Sequence, residues 1–427
     1  MKETRINAFK KIDIFTIGFA LFAMLFGAGN LIFPPYLGWK LRTHWFLGFL
    51  FYLLVDIGFS MVVILVIARS EHGSEAITMK LGKRISTVFM AAICLCIGPA
   101  IAIPRVAAIT YEVGIAPNFD GVNPIISMAI FFAIVWVLCI SKSGVVDIVG
   151  KILSPLMVAA LIFMIAKGVV SPIGEITAQS SVSKAVELGV TSGYQTMDMM
   201  AMAIFAITVL FAVNQKGYTG NKRFAIIGYA GIIASVLLFV VYGGLAYLGA
   251  SLHGKSSHSS QVDILLAVTK GVLGHNGLML LGIIVTLACL TTAIGLVTAI
   301  SEFFEEKLGI KYPILVTIFT VVSFAISNVG TNTIIQMASP VLGVIYPVLI
   351  YMTFCAIAGD RMPIFAIRCG AAVTFAVSLL QQMEGALHVD IISSYLPLEQ
   401  WGFGWILPAA AGLVLGLAID ARRTRMK

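Results

Sequence analysis

The residues best placed to do chemistry in this chain are few, and they sit inside long apolar runs. Phe26-Gly27-Ala28-Gly29-Asn30 puts two glycines and an amide in the middle of one run, with Pro34-Pro35 just beyond. Glycine and proline are the poorest helix formers, so a helix should break there. A break inside hydrocarbon frees backbone amides and carbonyls, which is tolerated only where protein or a watery cavity satisfies them. Freed amides point at an anion and freed carbonyls at a cation. The competing explanation of Gly-x-Gly is close packing of one helix on another. Further on, Ala288-Cys289-Leu290-Thr291-Thr292-Ala293 sets two hydroxyls side by side. Together with the Ala288 carbonyl one turn earlier, Thr291 and Thr292 offer the uncharged oxygens that suit a small hard cation. Alternatively, each hydroxyl bonds the carbonyl a turn back.

Four ionisable residues, Asp56, Arg105, Glu112 and Asp198, also fall in or near apolar runs. An isolated charge at the centre of a bilayer costs at least about 2.5 kcal/mol, so each needs a partner or a cavity. Arg105 follows Gly98-Pro99 and Pro104, which kink its helix and carry it toward a boundary. Arg105, Glu112 and Asp198, with Gln195 in Tyr194-Gln195-Thr196-Met197-Asp198, are the candidates for gating or coupling. Asp198 falls near the outer end of its run, within reach of water.

The elements that position these residues are membrane helices. The chain is 59% hydrophobic and 11% charged, with a mean hydropathy of +1.00. Soluble proteins are roughly 25% charged, so no soluble domain is expected. Runs long enough to cross about 30 Å of hydrocarbon lie at about 13–36, 45–68, 85–112, 123–140, 145–168, 194–213, 224–249, 275–300, 312–328, 331–357, 362–380 and 402–420, twelve in all. With the N-terminus inside, 21 of the 28 Lys and Arg fall on the cytoplasmic side, which places both termini in the cytoplasm. The connections 171–193 and 250–274 and the stretch Gln381 to Asp390 read as solvated outside loops.

Several function classes drop out. The basic residues stand in small groups between apolar runs rather than along one face, so the net charge of +8 does not indicate nucleic acid. All six histidines lie in loops or at span ends, and the six cysteines lie in apolar stretches without metal-ligand spacing. No His-Glu-x-x-His, Gly-x-Ser-x-Gly or phosphate loop is present, so no enzyme is indicated. Polar groups recur in span 6 roughly 180 residues after span 1, the pattern of an inverted repeat. Spans 1 to 5 and 6 to 10, about 12–170 and 194–357, form the two expected halves of a single membrane domain over 1–427. Spans at about 362–380 and 402–420 are additional.

The run Phe22 to Pro35, Gly98-Pro99 through Arg105 to Glu112, Gly193 to Asp198, and Leu290-Thr291-Thr292-Ala293 resemble, in order, the bacterial branched-chain amino acid carriers. The resemblance covers essentially the whole chain. It implies an all-α LeuT-type fold with helices 1 and 6 discontinuous, in the bacterial cytoplasmic membrane. It also implies cation-driven symport of leucine, isoleucine and valine by alternating access. Carried over by position, Gly27, Ala28, Gly29 and Asn30 match the unwound stretch that holds substrate. Ile101, Ala102 and Phe205 match the aliphatic pocket, and Phe205 and Ala206 match the break of span 6. The carbonyls of Ala23, Phe26 and Ala288 with the hydroxyls of Thr291 and Thr292 match the fold's sodium site. Proton-driven relatives can replace that sodium by a lysine of span 5. Residues 152–166 hold none, which favours Na+ over H+. Proton coupling, or a same-fold carrier for another amino acid or a nucleobase, is the alternative. No protein partner is implied.

Overall fold

The computed structural model describes residues 10–70, 73–140, 145–176, 181–252, 260–389 and 391–425; among them there is no strand. The α-helices in chain order are α1 (Lys11–Leu25), α2 (Ala28–Leu41), α3 (Trp45–Leu53), α4 (Phe59–Arg69), α5 (Lys83–Leu95), α6 (Ala102–Ile109), α7 (Pro124–Ile140), α8 (Val145–Val170), α9 (Val182–Thr196), α10 (Asp198–Gln215), α11 (Gly220–Ser251), α12 (Gln261–Leu273), α13 (His275–Leu308), α14 (Tyr312–Ser327), α15 (Thr331–Ile357), α16 (Ile364–Leu387) and α17 (Ile406–Arg425). Among the described residues, seven helical stretches are long and apolar enough to cross a membrane. Three shorter apolar helices accompany them: α7, α14 and residues 157–170 of α8. Large apolar side chains such as Phe211, Ile232 and Ile283 are exposed on the outer faces, as suits lipid rather than water.

Several of these helices are joined by π turns, which take up one extra residue and often mark functional positions. Leu54–Gly58 joins α3 to α4, and Cys96–Ala100 joins α5 to α6. The second holds Pro99, and Gly98 there leaves helical geometry at φ −100°, ψ −129°. The kink expected from Gly98-Pro99 is therefore present, but it does not carry Arg105 outward. Arg105 is 2% exposed, inside the molecule.

Helix α2 is central and packs on α6, α9, α11, α12 and α13. Its crossing with α11 rests on two glycines. A Cβ on Gly38 would stand 1.8 Å from the Ala246 carbonyl oxygen, and one on Gly249 would stand 1.9 Å from that of Pro35. Small residues let membrane helices approach this closely. Pro34 and Pro35 lie inside α2 without ending it. All six cysteines are free, and five of them are buried packing residues.

The reading of three solvated stretches as loops is corrected: helix runs into each, while 171–193 and 381–389 keep exposed residues over much of their length. The connection 171–193 contains the first turns of α9, started by the Ser181 side chain accepting from the Lys184 amide. The connection 250–274 contains α12, started by a capping box between Ser260 and Asp263. Residues 253–259 of that connection lie outside the described residues. Helix α16 runs through the Gln381 stretch to Leu387. There, buried Glu384 accepts from the amides of Ile391, Ile392 and Ser393. Short polar side chains that cap or fold back look like loop residues until the groups they cap are seen.

Candidate functional site

Two interruptions of helix meet near the middle of the molecule. At the first, α1 ends at Leu25, Phe26 turns to ψ 77°, Gly27 is extended at φ −91°, ψ 157°, and α2 begins at Ala28. The Leu25 carbonyl accepts from the Gly27 amide at 3.0 Å, Asn30 Nδ2 at 2.8 Å and the Tyr242 hydroxyl at 3.3 Å. A carbonyl freed from its own helix is thus held by three donors. Phe26 stacks between Phe22 and Tyr242, which anchors the C-terminus of α1.

At the second, α9 ends at Thr196, Met197 takes the left-handed conformation at φ 64°, and α10 begins at Asp198. This corrects the placing of the interruption at Phe205 and Ala206, which lie within continuous α10. Nothing in Ala203-Ile204-Phe205-Ala206 gives the backbone a reason to leave the helix. At 196–198, a hydroxyl and a carboxylate offer it local partners: Thr196 Oγ1 donates to the Gly193 carbonyl at 2.7 Å and accepts from the Asp198 amide at 3.5 Å.

The two interruptions are joined by side chains. Asn30 Nδ2 donates to Asp198 Oδ2 at 2.6 Å, linking α2 to α10. Arg105 Nη1 donates to the Gln195 carbonyl at 2.6 Å, linking α6 to the end of α9. The guanidinium carbon lies 5.6 Å from the Phe33 ring centroid. Gly29 makes room for it, since a Cβ there would stand 2.7 Å from Nη2. Asn30, Arg105 and Asp198 are 1%, 2% and 7% exposed. Asp198 therefore does not reach water near the outer end of a span. Because α9 begins at Val182, residue 198 falls midway along the apolar stretch Val182–Gln215, not at its edge.

Between these groups is a cavity of about 50 Å³. It is lined by Gly27, Gly29, Asn30, Ala102, Arg105, Asp198, Phe205 and Thr292, with Met24, Ile97, Val106, Thr196, Met197, Ala201 and Leu296. Two helix N-terminal turns, those of α2 and α10, border it, and first-turn amides have no acceptor in their own helix. Together with the guanidinium they favour an anion, while Asp198 favours a cation. Apart from the hydroxyls of Thr196 and Thr292, the walls not contributed by these groups are aliphatic, methionine or phenylalanine. Pockets for small molecules usually measure about 300–1,000 Å³, so this is a closed form that must widen to admit one.

The remaining expected site residues fall elsewhere or act differently. Ile101 is buried at the α6 start, where its carbonyl accepts from the Arg105 amide at 3.1 Å, and it does not line the cavity. Ala206 is fully buried in packing. Ala28 opens α2 with its backbone. Ala23 is half-buried on α1. Thr291 Oγ1 donates to the carbonyls of Leu287 and Ala288, so back-bonding is what it does here. Glu112 is not at the centre: its Oε1 accepts from the Thr331 amide at 2.9 Å and caps α15. The Gln195 side chain lines a second cavity, of about 150 Å³, with Tyr194, Glu187 and Glu399. Val106, Ala201 and Leu296 were missed in sequence, although Val106 and Leu296 each lie four residues beyond a named lining residue and Ala201 lies four before one. One helical turn of spacing was the signal available.

A helical membrane protein with interrupted helices around a small amphoteric cavity belongs to the transporter class. Its backbone has a known fold. The chain is similar to the solved structure of Mhp1, a nucleobase-cation-symport-1 family transporter, with a TM-score of 0.63 at 15% identity, covering 97% of this chain and 93% of that one. The family model described as branched-chain amino acid transport protein matches residues 10–423, and the chain belongs to that family. Among relatives, the branched-chain amino acid transport system 2 carrier protein of Pseudomonas aeruginosa is 33% identical over 425 residues, covering 96% of this chain and 97% of its own. The branched-chain amino acid permease BraB of Bacillus subtilis is 35% identical over 426 residues, covering 95% of each. These relatives are carriers and permeases, not enzymes.

Proposed function

We propose that this protein imports leucine, isoleucine and valine by cation symport, with alternating access around the central cavity. The observation that carries the reading is the convergence of Arg105, Asp198 and both helix interruptions on one cavity with apolar walls. An amino acid is a zwitterion, and such a lining answers both its charges. Its carboxylate meets Arg105 and the first-turn amides of α2. Its ammonium meets Asp198 and the carbonyls at the ends of α1 and α9. An aliphatic side chain then lies against Met24, Ile97, Val106, Phe205 and Leu296. One methylene in an apolar pocket gives only about 1–3 kcal/mol of discrimination, so the three substrates share the site.

The architecture in this reading is twelve membrane helices, five and five in inverted repeat plus two, with both termini in the cytoplasm of a bacterial cell. Na+ is the coupling ion, held by the carbonyls of Ala23, Phe26 and Ala288 and the hydroxyls of Thr291 and Thr292. Two facts support this set. Thr292 shares the cavity with Gly27. The Thr291 hydroxyl uses its proton toward carbonyls, which leaves its lone pairs for a cation. The absence of lysine between residues 152 and 166 favours sodium over a proton at this place. By linkage, sodium and amino acid should each tighten the other.

Competition binding tests the zwitterion reading. 4-Methylpentanoate lacks the ammonium of leucine and 3-methylbutylamine lacks the carboxylate. Each should bind at least about 100-fold more weakly than leucine, because each leaves one buried charge unpaired. Equal competition by either would remove Asp198 or Arg105 from substrate recognition.

A further inference from the structure

Against Asp198, and not among the residues that line the cavity, is a carboxyl group that the transport reading does not use. Asp56 stands in the π turn Leu54–Gly58, and its backbone carbonyl accepts from the Ser60 hydroxyl. It is 0% exposed. Its side chain lies against Asp198, Thr196 and Tyr52, yet neither carboxyl oxygen is within hydrogen-bond geometry of any donor heavy atom. The Tyr52 hydroxyl is buried beside it and, among the described residues, meets no other acceptor within hydrogen-bond geometry. The titratable groups facing Asp56 are Tyr52 from α3, Asp198 from α10, Tyr242 from α11 and Tyr346 from α15, while the charge of Arg105 acts on Asp198. The centre thus holds two carboxyls and one guanidinium.

Charge decides the matter. Two ionised carboxylates side by side in a dry interior repel, and one arginine balances only one of them. Asp198 has what stabilises an anion: an Asn30 N–H at 2.6 Å and the Arg105 charge nearby. Among the described residues Asp56 has neither an N–H donor nor a cation against it, only the hydroxyls of Tyr52 and Thr196, and Thr196 Oγ1 already donates to the Gly193 carbonyl. We propose that Asp56 is a proton-binding site: it is held as the neutral carboxylic acid, turns its O–H toward Asp198, and keeps Asp198 as the one anion that faces the cavity. Asp56 then touches no substrate and is a positioning residue. The inference rests on the reading that Asp198 receives the substrate ammonium, but the proton itself is tested separately.

The test joins infrared spectroscopy to uptake in the full-length protein in lipid at neutral pH. The wild-type minus Asp56→Asn spectrum should contain a carboxylic-acid C=O band that shifts to lower frequency in D2O. Absence of that band overturns the proposal. An amide mimics a neutral acid, so Asp56→Asn should keep leucine uptake to within about threefold with an unchanged sodium requirement, while Asp198→Asn should lose it. The reverse pattern would put the anion on Asp56 and overturn the assignment. A steep rise in the sodium requirement of Asp56→Asn would overturn it too, by making the pair a cation cage. If wild-type protein fails to bind leucine, the ammonium reading falls, and the infrared band alone then upholds or overturns the proton.

Discussion

The two interruptions of helix do the same geometric task with different chemistry. The first, at Phe26 and Gly27, spans two residues and is held open by a carbonyl with three donors. The second is a single residue, Met197, in a conformation that side chains with a Cβ rarely adopt. Gly27 needs no glycine for its backbone angles, and a Cβ there meets nothing within 4 Å. Glycine stands in the first interruption as open space beside a cavity, whereas in the second a strained residue is fixed by Thr196 and Asp198 around it. A helix can therefore be broken by weak helix formers or by polar side chains that compete for its backbone, and one molecule uses both.

The most severe way to break this comparison is to remove the groups that tie the two interruptions together. Asp198→Leu or Arg105→Leu leaves a buried charge without its partner, a loss of about 3–5 kcal/mol, and should reduce leucine uptake more than about 100-fold in protein that still reaches the membrane. Uptake assays normalised to surface expression would check this. Next comes the contrast between the two glycines of the first interruption. Gly29→Ala drives a Cβ into the Arg105 guanidinium at 2.7 Å and should cut leucine affinity at least about tenfold, whereas Gly27→Ala should stay within about threefold. Equal effects in binding assays would mean that the first interruption works by backbone freedom, not by space. At the second interruption, Met197→Gly relieves about 1–2 kcal/mol of left-handed strain but removes a buried side chain that costs about 2–5 kcal/mol, so thermal stability should fall by less than for Met197→Ala, which loses the packing and keeps the strain. A glycine variant no more stable than the alanine variant would deny that the residue is strained. At the sodium set the effect is confined to the ion. Thr292→Val and Thr291→Val should each raise the sodium needed for half-maximal uptake about tenfold, since each removes one hydroxyl oxygen from the set.

The same comparison explains what was legible in sequence. The first interruption was readable because Gly-x-Gly inside an apolar run is a local signal. The second was readable only as a polar patch: the family resemblance puts it at Phe205 and Ala206, and its strained residue, Met197, is a methionine that carries no local signal to correct this. Burial of Asp198 depended on where α9 begins, and that start is set by Ser181 in a stretch that reads as a loop. The role of Glu112 was out of reach for a related reason: its partner amide, Thr331, is 219 residues away. Thr291 and Thr292 were legible as a pair of hydroxyls, but which carbonyls they face is a property of packing. Family membership was legible from four motifs in order, because those motifs surround the cavity on α2, α6, α9 and α13.

The most direct test of the account is uptake of labelled leucine into proteoliposomes holding the purified protein. An inward sodium gradient at fixed pH is compared with an inward proton gradient without sodium. The account predicts accumulation of leucine against its gradient with sodium and none with protons alone. Accumulation driven only by protons would contradict the sodium set at Thr291 and Thr292, and mere equilibration under both gradients would contradict symport itself.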